Sequence, residues 1–177
     1  MEKLKLFRHV IGYMIGISIF GILIPYGLTG YSNDSIPFFN FPLIENTIFR
    51  YILVFIFLLT GLLFMIWSNA ALFMIGKGGP ADGFGIAVSP RTEKLVIKGP
   101  YRYSRNPMVL GAFLFYFSIA IYKDSTGLLV ILILCIPITI LYLKLTEEKR
   151  LFHDFGNEFL EYRKKVPMIF PFAKIKK

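Results

Sequence analysis

Four stretches of this chain carry no charged residue: 10–33, 51–76, 107–122 and 125–143. A helix that crosses a bilayer needs about 20 predominantly apolar residues, because no water inside the bilayer can satisfy a bare peptide group. The first, second and fourth stretches meet that length. The third is short, roughly 24 Å at about 1.5 Å per residue. The second is long, roughly 39 Å by the same rule, so it has to tilt or protrude. With 55% hydrophobic and 18% charged residues among 177, the pattern places the chain in the membrane class. The expected fold is all-α: one membrane domain over 1–177, with helices at 9–30 and 48–76 and a helical hairpin over 107–145. The basic start, Met1 to His9, has the form of a signal-peptide n-region. The run behind it is too long and lacks a small-residue cleavage site, so it reads as a retained first helix.

Cations then set the expected orientation. All but two of the 20 Lys and Arg residues fall in the N-terminal tail, in the loop 76–106, or from Lys144 onward. The other two loops hold only Arg50 and Lys123. By the positive-inside rule both termini and the central loop face the cytoplasm. The net charge of +9 suits nucleic acid by sign alone, but long charge-free runs do not accompany a soluble basic face. Cys135 is the only cysteine, which excludes an internal disulfide, and no Cys/His metal spacing occurs. Its Leu and Ile neighbours make it a packing residue. The loop 30–46, with Pro37 and Pro42, reads as an irregular external segment. Gly76-Lys77-Gly78-Gly79-Pro80 lacks the spacing of a phosphate-binding loop and reads as a flexible connector. Leu95-Val96-Ile97 reads as a short extended piece.

Two polar clusters flank the hairpin. The first, Gly99-Pro100-Tyr101-Arg102-Tyr103-Ser104-Arg105-Asn106-Pro107-Met108, packs donors and cations against the start of the third apolar stretch. Asn followed by Pro is a helix-start signal, with Asn as N-cap and Pro at the first helical position. The free N–H groups and partial positive charge of such a terminus suit a carboxylate or phosphate. The second cluster, Glu147-Glu148-Lys149-Arg150, follows the fourth stretch. A hairpin brings both clusters to one membrane face, with Arg102 and Arg105 opposite Glu147 and Glu148. The bland alternative is an interfacial belt, with Arg snorkelling to lipid phosphates and Tyr at the headgroups. The stripe Phe152, Phe155, Phe159, Tyr162 has helical spacing and reads first as packing. Gly156 interrupts it, ending a helix or admitting a close contact. Glu161 to Lys165 reads as a solvated face. His153 lies near the second cluster, and His9 reads as interfacial.

The order Gly-Pro-Tyr-Arg-x-x-Arg-Asn-Pro-Met-x-x-Gly at 99–111, then Glu-Glu-x-x-Leu-x-x-x-Phe-Gly and Tyr162, Val166-Pro167 and Pro171, resembles the isoprenylcysteine carboxyl methyltransferases. That family is in turn similar to the phospholipid methyltransferases. The resemblance implies an integral membrane enzyme using S-adenosylmethionine, with S-adenosylhomocysteine as product. It implies a cytoplasmic cofactor pocket within a catalytic region at 93–171. The cofactor contacts it implies are Tyr101, Arg102, Arg105, Asn106, Pro107, Leu110, Gly111, Glu147, Glu148, Phe155, Tyr162 and Val166. Arg105, Glu147 and His153 are the expected catalytic residues. Val109 and Phe159 stand where a Tyr is frequent in the family, and Asn106 where the prenylcysteine enzymes carry His. The residues suit such a cofactor in their own right. A helix N-terminus with Arg fits its carboxylate, a Glu its ammonium, and apolar walls its purine.

The expected reaction is methyl transfer to a lipophilic or membrane-embedded acceptor, a carboxylate or an amine, with no nucleic-acid partner. Two other readings compete. An NADPH-dependent membrane reductase of the steroid-reductase type has a similar terminal hairpin. A non-enzymatic membrane scaffold needs no cofactor, and no intramembrane charge marks an ion path.

Overall fold

The computed structural model describes residues 2–30, 41–79, 82–83, 86–87 and 89–171. Residues 31–40 of the expected external segment at 30–46 and the end of the chain from residue 172 lie outside them. The first rod runs unbroken from Glu2–Gly16 (α1) through a π-helical stretch, Ile17–Leu23, into Ile24–Gly30 (α2). After it come Thr47–Met74 (α3), a two-residue antiparallel pair, Asp82–Gly83 (β1) with Ile86–Ala87 (β2), and a 3₁₀ turn, Gly99–Arg102. Pro107–Tyr122 (α4), Thr126–Leu145 (α5) and Glu147–Lys165 (α6) complete the chain. Leu6–Gly30, α3 and α5 are long and apolar enough to cross a membrane, and α4 is a shorter apolar helix. Large apolar side chains such as Phe55, Ile66, Leu134 and Ile138 point outward. That exposure is costly in water and neutral against lipid tails.

Packing among the described helices is dominated by α3 against α4. A Cβ at Gly61 would stand 2.8 Å from the Gly111 carbonyl oxygen, and one at Gly111 2.7 Å from that of Gly61. Two hydrogens facing each other let the backbones approach, as small residues do between membrane helices. The antiparallel hairpin is present: Leu128 and Leu132 near the start of α5 pack with Tyr116 and Ala120 late in α4. Leu143 near the end of α5 packs with Leu110 near the start of α4. The first rod joins through Tyr116, whose hydroxyl donates to the Phe20 carbonyl at 2.9 Å. That carbonyl belongs to the π-helical stretch, where backbone groups are less tightly paired than in an α-helix.

Two polar clasps hold opposite ends of α4. Where α4 turns into α5, Asp124 accepts from the backbone N–H of Leu43 and Ile44 and pairs with Arg50 at 2.6 Å. At the other end, Arg105 N–H donates to the Pro167 carbonyl and Asn106 N–H to that of Met168. The loop expected as a flexible connector is instead fitted closely against the chain after it. Glu93 N–H donates to Gly76, Gly79 N–H to Pro90, and a Cβ at Gly78 would meet the Thr92 backbone at 2.6 Å. Its glycines serve close approach rather than mobility. Leu95 and Val96 are buried, each in its own apolar cluster.

Candidate active site

The site is built where the loop 99–106 meets α6. Gly99 adopts φ +63, and its α-carbon faces Trp67 of α3, so the turn needs a residue without a Cβ. The 3₁₀ turn then buries Pro100 and Tyr101. The Tyr101 carbonyl accepts the Tyr162 hydroxyl at 2.7 Å, which ties the first cluster to α6. Burial pushes the Tyr101 phenol well above its ordinary range, with Tyr162 and Glu147 adding to the rise, so it stays neutral.

Asn106 precedes Pro107 at the start of α4, as the sequence predicts, but the expected side-chain cap is not made. Its amide instead donates to the Met168 carbonyl at 3.1 Å, and the Ser104 hydroxyl donates to the same oxygen at 3.2 Å. Competition from the returning chain explains the difference, since Asn satisfies whichever backbone group lies nearest. Asn106 thus fastens segment 167–168 over the helix start.

Arg105 and Glu148 form an ion pair with side chains only 9% and 5% exposed. This is the contact expected across the hairpin, made by Glu148 rather than shared between both glutamates. Glu147 turns instead to Arg150 on its own helix and keeps partial access to solvent. Burial lowers the Arg105 pKa, and the Glu148 carboxylate opposes that shift. Arg105 Nε is buried with no hydrogen-bond partner among the described residues. A second cation, Arg163, approaches the other Glu148 oxygen at 3.6 Å.

The remaining predicted residues divide. Tyr162 and Val166 pack with Leu95 and the fully enclosed Phe159, with Phe155 against them. Most of the aromatic stripe is therefore packing, with Phe159 fully enclosed in it. Phe152 stands apart, exposed. Pro107 and Leu110 are buried at the start of α4, and Gly111 faces α3. Arg102 is exposed. His153 is 86% exposed beside Asp154 and lies outside the buried cluster. Gly156 has φ +53 and open space around its α-carbon, so it kinks α6 by conformation and not by close contact.

Sequence reasoning missed the cavity on the Arg163 side of Glu148. It measures about 330 Å³ and is lined by Lys144, Glu148, Lys149, Phe152, Leu160 and Arg163. The signal was partial: 149 and 152, and 160 and 163, are each three residues apart and share a face within their own half of α6, while the kink at Gly156 decides how the halves meet. It was hidden by reading Phe152 into the stripe and Arg163 into a solvated charge run. Trp67 and Tyr103, both half-exposed with ring centroids 6.4 Å apart, form a further aromatic edge that links α3 to the loop.

Helices of membrane-spanning length, with a guanidinium and a carboxylate paired out of solvent at one end of the bundle, define a polytopic membrane protein with a polar site at the interface. The chain belongs to the phospholipid methyltransferase family, whose model matches residues 49–158. The match starts in α3 and runs through both polar clusters into α6. Membership makes this a membrane methyltransferase by family. Neither the curated proteins nor the solved structures gave a match.

Proposed function

We propose that this protein transfers a methyl group from S-adenosylmethionine to a lipophilic or membrane-embedded acceptor, with the cofactor bound from the cytoplasmic face. The observation that carries the proposal is the buried Arg105–Glu148 pair with the unpartnered Arg105 Nε beside it. A buried guanidinium with a spare donor fits a carboxylate, and a buried carboxylate fits an ammonium. The residues present therefore fit the amino-acid end of the cofactor. When bound, the cofactor supplies a sulfonium methyl open to nucleophilic attack.

In this reading Arg105, Glu148 and Glu147 hold the polar end, with Tyr101, Arg102, Asn106 and Pro107 forming the loop wall beside it. Leu110, Gly111, Phe155, Tyr162 and Val166 form the frame that fixes the loop against α3 and α6. Methyl transfer is an in-line displacement and depends on alignment in a dry site more than on acid–base chemistry. A carboxylate acceptor is already ionised at neutral pH. An amine acceptor has to shed a proton, and Glu147 or His153, both within reach of water, would take it. The apolar outer faces of the helices let a lipophilic acceptor reach the site from the bilayer.

The test is S-adenosylhomocysteine binding by the detergent-purified full chain, read as ligand-induced thermal stabilisation. Wild type is expected to be stabilised, and NADPH to have no effect. Arg105→Ala and Glu147→Ala are each expected to lose the response. Stabilisation retained in both variants overturns the assignment, and stabilisation by NADPH instead favours the reductase.

A further inference from the structure

The cavity beside Glu148 holds more positive charge than the buried pair accounts for. Lys144, Lys149 and Arg163 line it against the single carboxylate of Glu148, and Arg105 already occupies that carboxylate's first oxygen. Arg163 lies 3.6 Å from the second oxygen. Lys144 and Lys149 are exposed and make no ion pair among the described residues. Three cationic residues and one carboxylate line a cleft of about 330 Å³, and that excess of positive charge calls for an anion.

The level and the walls of the cleft narrow the choice. Lys144 stands in the last turn of α5, where the apolar span ends, so the cleft opens at headgroup depth. Its other walls are Phe152 and Leu160. A small hydrated anion gains nothing from those walls, whereas a phosphate carried on glycerol and acyl chains does. Lys149 and Phe152 come from the half of α6 before the kink at Gly156 and Leu160 and Arg163 from the half after it, while Lys144 and Glu148 lie four residues apart across the bend at Thr146.

We propose that Lys144, Lys149 and Arg163 form a seat for the phosphate of an anionic phospholipid headgroup, with Phe152 and Leu160 covering its glycerol and upper acyl region. The two lysines supply point charges to the phosphate, and the guanidinium offers donors beyond its contact with Glu148. Because Arg163 and Arg105 address different oxygens of Glu148, the seat adjoins the proposed cofactor site without sharing its cations. The lipid seat does not depend on the methyl donor being identified correctly.

The experiment titrates short-chain phosphatidylglycerol, and separately phosphatidylcholine, into the detergent-purified full chain and reads thermal stabilisation. Phosphatidylglycerol is expected to stabilise the wild type at a concentration where phosphatidylcholine does not. Lys144→Gln with Lys149→Gln is expected to weaken the phosphatidylglycerol response about thirty-fold, leaving S-adenosylhomocysteine binding unchanged. The control pair Lys164→Gln with Lys165→Gln removes the same charge from α6 outside the cleft and is expected to leave the response near wild type. An equal loss in the control pair overturns the seat in favour of general attraction to a basic helix. An unchanged response in the first pair overturns it as well. Inorganic phosphate that competes at equal concentration makes the site one for a soluble anion and also overturns the proposal. If that pair loses S-adenosylhomocysteine binding, the cleft belongs to the cofactor and the lipid seat falls. Failure of wild type to bind S-adenosylhomocysteine at all, with the lipid response intact, removes the proposed function alone.

Discussion

Glu147 and Glu148 are neighbours of one residue type, yet their surroundings give them different energetics. Glu148 is 5% exposed against Arg105, and Glu147 keeps 29% of its side chain exposed against Arg150. Removing one member of a buried pair strands the other charge out of water and costs roughly 3–5 kcal/mol, whereas a partly exposed pair contributes about 0–1 kcal/mol. Glu148→Ala is therefore expected to lower the apparent Tm strongly in a detergent melt, and Glu147→Ala to leave it nearly unchanged. Equal shifts would mean that the two pairs are equally solvated. Sequence reading found the pair of acids and the opposing arginines. It had no means of choosing which acid turns inward, because that depends on the bend at Thr146 and on where Arg163 returns along α6.

Among the elements, α3 and α4 set the frame. Their closest point is Gly61 against Gly111, where an added methyl on Gly111 would stand 2.7 Å from a carbonyl oxygen and 2.9 Å from the Met65 nitrogen. Both are backbone atoms of a packed helix and cannot swing away. Gly111→Ala is expected to destabilise by roughly 1–3 kcal/mol, the usual effect of overpacking. Gly16→Ala is the control, since its α-carbon meets nothing within 4 Å and its backbone is helical. It is expected to be neutral or slightly stabilising. Thermal melts of the two variants check both outcomes, and equal melts would show that the helices part freely at this point. The resemblance implies a cofactor contact for Gly111, and the fold sets it between α3 and α4. A glycine in a motif does not declare which neighbour it admits.

At the scale of the whole molecule, α4 is clasped at both ends by polar groups from distant parts of the chain. Asp124 holds Leu43, Ile44 and Arg50 at one end, while Ser104, Arg105 and Asn106 hold Pro167 and Met168 at the other. Asp124→Ala is expected to lower the apparent Tm while leaving S-adenosylhomocysteine binding per folded molecule intact, since its clasp lies at the far end of α4. Lost binding with an unchanged melt would show that the two ends are coupled. The four apolar helices, their order and the face where charge collects were legible in the sequence, because bilayer thickness and the cost of bare peptide groups act on composition and length alone. The partners of individual side chains were decided only by tertiary structure. Asn106 binds Met168 rather than capping α4, Glu148 rather than Glu147 meets Arg105, and Phe152 leaves the aromatic stripe to line a cationic cleft. Each of those choices depends on which backbone or charge arrives from more than forty residues away or across a bend, within hydrogen-bond distances that a linear pattern does not encode.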